Sequence, residues 1–367
     1  GTNGIKSTNT EASDKGFISV TGGSFTVVAN NDAFEAETVL SIEGGSFDIT
    51  TGGGSANASM KSDGTPNSDW HNNMGNGGDG PNGGMGRPHD NRNGMGGDPP
   101  TMPTADDTGL TIETAANTTT DSTDTTDSTS TSAKALKAGS EVNISGGEFK
   151  IDSADDSVHS NGSIVVTGGN ISAASGDDGM HASGNLTISD GTVDITKSYE
   201  GIEGSIVTID GGTISVVSSD DGINCAGGSD TGSTDRMGAD QFSSQDGVEL
   251  NINRGTVTID AEGDGLDSNG NFTMTGGTVC VCGPTNGGNG ALDYNGTATV
   301  TGGTLIACGA VGMEEGFGDN STQYSVLHDL GSTVSANEKL TITDSDGKEI
   351  LSFTPTKTWQ SVVFTSA

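Results

Sequence analysis

Paired acidic residues recur along the chain at a nearly constant spacing. The second members of the first four pairs are 21 or 22 residues apart, so a repeating fold brings them into one column. Ca²⁺ accepts roughly six to eight oxygen ligands in flexible geometry, which suits carboxylates that arrive from several repeats. A turn that favours aspartate explains the same pattern without a metal. The calcium interpretation is preferred, and the predicted ligands are Asp155, Asp156, Asp177, Asp178, Glu200, Asp220, Asp221 and Asp264.

Two histidines form part of a second column, three residues after the first. His159 and His181 lie there with Glu203, and imidazole together with carboxylate can hold a transition metal. A solvated polar face explains the same residues more simply, and the pattern favours that interpretation.

A single lysine, Lys197, stands where other repeats have serine or alanine. Beside a row of carboxylates it is either an ion-pair partner of Glu200 or Asp194, or a catalytic base. The surrounding charge favours the ion pair, because nearby carboxylates hold a lysine protonated.

Glycine pairs mark the repeat that must position these residues. Their second members include Gly147, Gly169 and Gly191, each 22 residues after the one before. Apolar residues alternate on both sides of each pair, which is typical of strands with one buried face, and a third apolar position follows about eleven residues later. Three short strands per repeat predict an all-β chain, a right-handed parallel β-helix of about nine coils of about 22 residues.

Two insertions and a different C-terminal segment define the predicted organisation. Residues 1–51 and 134–309 carry the coils, with a polar loop near 228–246. Residues 52–133 are rich in Gly, Asn, Ser and Thr and predict a disordered loop within one coil. Residues 310–367 lack the glycine pair and predict a capping region. The opening residues resemble the middle of a repeat, so we expect the chain to be a piece of a longer precursor.

Composition limits the possible partners. The formal net charge is −36, from 14 basic and 50 acidic residues, which disfavours nucleic acid because phosphates need a basic surface. No apolar run is long enough to predict membrane insertion. Cys282 aligns with Cys308, and the spacing allows either a disulfide or two free thiols.

Three blocks of the sequence resemble a family of secreted bacterial β-helix proteins known as carbohydrate-binding domain proteins. The blocks are 197–203, which reads KSYEGIE, 220–224, which reads DDGIN, and 283–294, which runs from GPTN to ALDY. The resemblance implies an extracellular or cell-surface bacterial protein that uses calcium to bind plant cell-wall polysaccharide, namely polygalacturonate or cellulose. It also implies a fold similar to calcium-dependent pectate lyases, in which Lys197 is the position that matches the lysine base.

Three functions stay open at this point. Calcium-dependent binding of acidic polysaccharide leads, with Tyr199, Glu203 and Tyr294 as candidate sugar contacts. Pectate lyase activity through Lys197 by β-elimination is the enzymatic alternative. A structural or adhesive surface protein, with possible self-assembly, is the third. Because aromatic residues are only 4% of the chain, a flat stacking platform for cellulose is disfavoured and the uronate polymer is preferred.

Overall fold

A computed structural model describes residues 3–9, 15–58, 132–226 and 244–367. Within these residues the chain is all-β. The only helical element in these described ranges is a short 3₁₀ turn, Ser55–Asn57. The strands form two large, mostly parallel sheets and one small hairpin.

The strands that follow the glycine pairs form one sheet. Each pairs in parallel with the strand of the next repeat. In chain order these strands are β3 (Ser24–Ala29), β6 (Ser46–Thr51), β9 (Glu148–Ser153), β12 (Asn170–Ser175), β14 (Thr192–Lys197), β16 (Thr213–Ser218), β19 (Thr256–Ala261), β22 (Thr278–Cys282) and β25 (Thr304–Gly309).

The other strands of the repeats form two columns of a second parallel sheet, and two long strands join the columns. The long strands, which contribute to both columns, are β13 (Met180–Ile188) and β15 (Ile202–Ile209). The column that precedes the glycine pairs contains β2 (Ile18–Val20), β5 (Val39–Ile42), β8 (Glu141–Ile144), β11 (Ser163–Val166), β18 (Glu249–Ile252), β21 (Asn271–Met274) and β24 (Ala298–Val300). The remaining column contains β1 (Ile5–Ser7), β4 (Phe34–Ala36), β7 (Leu136–Ala138), β10 (Val158–Ser160), β17 (Ile223–Cys225), β20 (Leu266–Ser268) and β23 (Leu292–Tyr294).

The core consists of like residues stacked from repeat to repeat. Val166, Ile188 and Ile209 pair in register and are at most 1% exposed, which confirms the predicted parallel pairing and inward face. At the N-terminal end Phe47 stacks on Phe25 and Phe149, with ring centroids 4.9 and 4.6 Å apart. Because side chains alternate between the two faces of a strand, in-register stacking keeps the apolar residues of the inner face on the inner face in every coil.

The glycine pairs turn the chain between two strands of a coil. The second glycine of each pair has a positive φ, for example +118° at Gly45 and +97° at Gly191. Only glycine adopts this conformation at low cost. The glycine pairs that recur in the sequence therefore mark a turn that recurs in every coil.

The C-terminal segment ends the parallel stack with antiparallel pairing. β29 (Trp359–Ser366) pairs antiparallel with β25 on one side and with β26 (Ser325–Val334) on the other. β27 (Leu340–Thr343) and β28 (Glu349–Phe353) form a separate hairpin.

Strands on either side of both insertions occupy adjacent rows of the second sheet. Phe34 in β4 pairs with Leu136 in β7, across residues 59–131. Ile209 in β15 pairs with Ile252 in β18, across residues 227–243. Most of the predicted disordered loop and of the predicted polar loop lies outside the described residues. The first residues of the predicted disordered loop, 52–58, are described and form a turn against the coils, where the Ser55 amide donates to Asp152 Oδ1 at 2.7 Å.

The described residues include no helix of the length and apolarity required to cross a membrane. All four cysteines are free thiols, and Cys282 lies opposite Cys308 in register.

Candidate carboxylate and metal site

The predicted acidic column consists of one residue from each coil, which lies just before the third strand of that coil. We call this position the ladder position. Where this residue is an aspartate, its side chain accepts a hydrogen bond from the backbone amide of the same position in the next coil. This bond satisfies a backbone donor and favours aspartate at this position without any metal. The bonds, acceptor side chain first, are Asp32 to Lys134 (2.9 Å), Asp156 to Asp178 (3.1 Å), Asp178 to Glu200 (3.3 Å), Asp221 to Asp264 (2.7 Å) and Asp264 to Gly290 (2.5 Å).

The N-terminal part of the ladder has its negative charge compensated. Lys134 stands 22 residues before Asp156, so a lysine fills a ladder position, and its Nζ lies 2.6 Å from Asp156 Oδ2 and 2.9 Å from Asp155 Oδ1. Asp156 also contacts His159 Nδ1 at 2.7 Å. Burial opposes ionisation of both partners. The ion pair nevertheless keeps the pKa of Asp156 below its ordinary range and the pKa of Lys134 above it. The ammonium group therefore stands where a bound cation would otherwise stand.

His181 compensates the next coil. Its Nδ1 lies 2.7 Å from Glu203 Oε2 and 3.2 Å from Asp178 Oδ2. Burial lowers the pKa of this ring, but the hydrogen bonds to the two carboxylates outweigh burial and raise it to about 11. The imidazolium in turn lowers the pKa of Glu203 against the effect of burial. Burial, together with repulsion from Asp156 and other carboxylates, raises the pKa of Asp178 well above its ordinary value.

The C-terminal part of the ladder has no basic residue at the described positions that correspond to Lys134, His159 and His181. Three residues after each ladder position lies what we call the partner position, and it changes from His159 and His181 to Glu203, Asn224, Asp267 and Asp293. Carboxylate oxygens of Asp221, Asp264 and Asp267 lie within 4.8 Å of one another; we call these three the acidic cluster. Ion pairs in the described part of the chain involve none of the three.

Burial and mutual repulsion raise the pKa of every carboxyl in the acidic cluster. The pKa of Asp264 is raised to about 7, because burial and the charges of Asp293 and Asp220 outweigh the hydrogen bond from the Gly290 amide. Asp221 and Asp267 have pKa values well above the ordinary one for the same two reasons, burial first. This cluster therefore carries an electrostatic cost that a bound cation would relieve.

An unsatisfied amide oxygen lies beside the acidic cluster. Asn224 is 7% exposed and pairs in register with Asp267. Its Nδ2 donates to Glu200 Oε2 in the preceding coil at 2.9 Å. That oxygen is buried and has no hydrogen-bond partner among the described residues. Buried polar atoms are nearly always paired, and an amide oxygen is a ligand that Ca²⁺ accepts.

Glycine at position 263 makes room for the carboxylates. A Cβ at Gly263 would lie 2.4 Å from Asp221 Oδ1 and 2.6 Å from Asp220 Oδ1. The replacement of an aspartate by glycine in this acidic pair therefore lets two carboxylates approach the backbone of the next coil.

Three other predicted site residues, Lys197, Asp177 and Tyr199, make contacts with residues outside this cluster. Lys197 is exposed, and its Nζ donates to the Ser55 backbone oxygen at 2.6 Å. The expected ion pair of Lys197 stays a prediction. Asp177 joins Asp155 and Asp156 in the compensated part, with carboxylate oxygens within 4.8 Å of one another. Tyr199 is half-buried and its amide donates to the Asp177 backbone oxygen at 2.8 Å.

Tyr294 is also half-buried and packs against the core. Its hydroxyl donates to the Gly316 backbone oxygen at 2.6 Å. It follows Asp293, which pairs in register with Asp267, whereas Tyr294 itself pairs with Ser268.

Comparison with known proteins places the chain in a family. Residues 1–179 and 180–290 match the family described as carbohydrate-binding domain-containing protein. The chain belongs to this family. Membership supports carbohydrate binding as the function, with a polysaccharide as the partner. No curated protein and no solved structure matches the chain.

Sequence reasoning missed three residues that define the charge pattern of this carbohydrate-binding protein. Lys134, Asn224 and Asp267 were not among the predicted ligands. The repeat itself contained the signal, because Lys134 is 22 residues before Asp156, and Asn224 and Asp267 are each three residues after a ladder position.

Proposed function

We propose that the chain binds acidic polysaccharide of the polygalacturonate type through Ca²⁺ held at the acidic cluster. The proposal rests on the three carboxylates of the acidic cluster, which lie within 4.8 Å of one another and form no ion pair among the described residues. Asn224, next to them in register, has a buried Oδ1 without a hydrogen-bond partner among the described residues. Asp220 and Asp293 border the same place and supply further oxygens. A hard cation with oxygen ligands matches this donor set.

The negative net charge of the chain means that an acidic polysaccharide can bind only through a shared cation. A chain of net charge −36 repels a uronate polymer unless a cation is shared between them. Ca²⁺ held on the protein by three carboxylates keeps coordination positions for uronate carboxylates and hydroxyls. Because the proposed site binds the sugar through the shared ion, it needs no flat aromatic platform, and Tyr294 stays a proposed sugar contact.

The fold that supports this site is proposed to be a right-handed parallel β-helix. Connections between parallel strands of one sheet are right-handed in about 98% of known cases, which supports this hand for the stacked coils described above. We also place the protein outside the bacterial cell, since its proposed ligand is a plant cell-wall polymer. An experimental density map of the coils tests the hand.

Calorimetric titration of the full chain with polygalacturonate tests the proposal. We expect binding in Ca²⁺, loss of binding after chelation, and weak binding of fully methyl-esterified pectin, which lacks the charge. Asp267→Asn should weaken calcium-dependent binding at least about tenfold. Asp346→Asn, at an exposed residue of the β27–β28 hairpin, should leave it unchanged. Equal binding with and without chelator, or by Asp267→Asn, contradicts the calcium bridge.

A further inference from the structure

The C-terminal segment contains a groove that lies outside the acidic cluster. Its volume is about 510 Å³, which is within the range of sites that bind small molecules. One wall belongs to β26 and β29 and the residues beside them, and the other belongs to the β27–β28 hairpin. The first wall presents Tyr324, Val326, Phe364 and Ser366, and the second presents Asp344 and Ile350.

The pairing of the strands explains why the residues of the first wall share one face. Val326 pairs with Phe364, and Phe364 pairs with Ile306 of the last coil. Ile306 belongs to a small apolar cluster that packs against the hairpin, whereas Val363 on the opposite face of β29 packs in the main core. Because side chains alternate along a strand, Ser366 lies on the same outer face as Phe364. The groove therefore lies on this outer face, beside the hairpin.

Tyr324 offers an aromatic ring from a fixed backbone. Its backbone oxygen accepts a hydrogen bond from Thr365 Oγ1 at 2.8 Å. The neighbouring Gln323 donates through Nε2 to the Gly303 backbone oxygen at 3.0 Å and to Thr365 Oγ1 at 2.7 Å. A ring held on an ordered segment loses little further conformational freedom when a ligand packs against it.

The apolar part of the lining is open to solvent. Tyr324 is 96% exposed, and Val326 and Ile350 are 50% and 43% exposed. Ile350 is the extra residue of a β-bulge, because Ile342 pairs with Leu351 whereas the next residue pairs with Glu349. Bulges re-aim side chains and are frequent beside binding sites. Exposed apolar side chains that share one groove indicate a ligand site more strongly than the same residues scattered singly.

Polar groups with fixed positions border these apolar side chains. The Ser366 hydroxyl lies 3.1 Å from the Thr304 hydroxyl. Asp344 Oδ1 accepts hydrogen bonds from the backbone amides of Asp346 and Lys348, each at 2.9 Å. A mainly apolar groove with a few fixed polar groups matches an amphipathic ligand.

We propose that this groove binds a pyranose residue of a neutral polysaccharide, independently of Ca²⁺ and of the acidic cluster. A pyranose with equatorial hydroxyls has C–H groups on its faces and hydroxyls around its rim. One face packs on Tyr324, and the hydroxyls bond to Ser366 and Asp344. A carboxylate accepts strong hydrogen bonds from hydroxyls but repels a uronate, which selects a neutral sugar. All the lining residues lie beyond the matched residues 1–179 and 180–290, so the family match does not assign this site.

Calorimetric titration of the full chain with cellohexaose and with xylohexaose tests the proposal. Both probes are neutral and have only equatorial ring hydroxyls. We expect at least one to bind, with equal affinity in Ca²⁺ and in chelator, and we expect hexagalacturonate not to bind in chelator. Tyr324→Ala should weaken binding at least about tenfold, whereas Tyr324→Trp should retain it because packing on the sugar face needs a ring. Phe17→Ala removes another exposed ring and should change nothing.

Two outcomes overturn the proposal directly, namely no binding of either probe and equal affinity in Tyr324→Ala. Sedimentation tests a second copy of the chain as the occupant. A wild type that self-associates, beside a monomeric Tyr324→Ala, also overturns the proposal.

The same variants separate this site from the acidic cluster. Asp267→Asn should leave binding of the neutral probe unchanged, and Tyr324→Ala should leave calcium-dependent binding of polygalacturonate unchanged. Loss of neutral-probe binding in Asp267→Asn would show that the two sites are one, and it contradicts the independence proposed here.

Discussion

Replacement of Asp264 by Asn should stabilise the metal-free protein and abolish its response to calcium. Asp264 is half-buried and lies among like charges, and its pKa is raised from the ordinary value of 3.8 to about 7. A raised folded-state pKa means that the folded protein prefers the protonated carboxyl. The wild type therefore loses stability as the pH rises between about 4 and 7, and carries the full penalty above 7.

The magnitude follows from the size of the pKa shift. Each pKa unit corresponds to about 1.4 kcal/mol, so a shift of roughly three units sets an upper limit of about 4 kcal/mol. Water reaches part of this side chain, and screening reduces the expected gain for Asp264→Asn at pH 8 to about 2 kcal/mol. Asparagine keeps a side-chain oxygen for the Gly290 amide, so the ladder bond survives.

Urea unfolding of metal-free protein at pH 5 and pH 8 measures the effect. Asp264→Asn should be more stable than wild type at both pH values, with a gain at pH 5 of only about 40% of the gain at pH 8, because the penalty grows between about pH 4 and 7. Saturating Ca²⁺ should then stabilise the wild type more than the variant. Asp346→Asn serves as the control, with no change at either pH. A variant less stable than wild type at pH 8 without metal, or a difference independent of pH, refutes the reasoning.

Three further predictions test other parts of the structure. Lys134→Ala leaves Asp156 buried without its ammonium partner and should cost about 3 kcal/mol in urea unfolding at pH 7, whereas Lys339→Ala, at an exposed pair, should cost under about 1 kcal/mol. Phe47→Ala removes the middle ring of a buried stack and should lower the free energy of unfolding by about 3–5 kcal/mol, with Phe17→Ala at an exposed ring as the control. Lys197→Ala should weaken polygalacturonate binding, and wild type should form little 4,5-unsaturated uronide by absorbance at alkaline pH with Ca²⁺; robust turnover lost in the variant would instead identify a lyase.

Much of the fold could be predicted because one turn recurs at a fixed spacing. Glycine pairs about 22 residues apart, with alternating apolar residues beside them, predict which residues pair and which lie inside. Val166, Ile188 and Ile209 are buried and in register accordingly. The same spacing places Asp156, Asp178, Asp221 and Asp264 at equivalent positions of successive coils, because residues one repeat length apart occupy the same place in each coil.

The tertiary structure decided which of these carboxylates are compensated. Whether the charge of a carboxylate is compensated depends on the side chains at neighbouring positions of the adjacent coils. The partners of these charged side chains come from different coils and from the turn that begins the insertion. Lys134 compensates the charge of Asp156, while Asn224, whose Oδ1 is buried without a partner among the described residues, pairs in register with Asp267. Lys197 reaches the Ser55 backbone oxygen, 142 residues away in sequence. Sequence by itself thus determined the repeat and the equivalent positions of the residues in the column, whereas the balance of charge within the column depends on the burial, distances and hydrogen bonds of these side chains, which the packing of neighbouring coils sets.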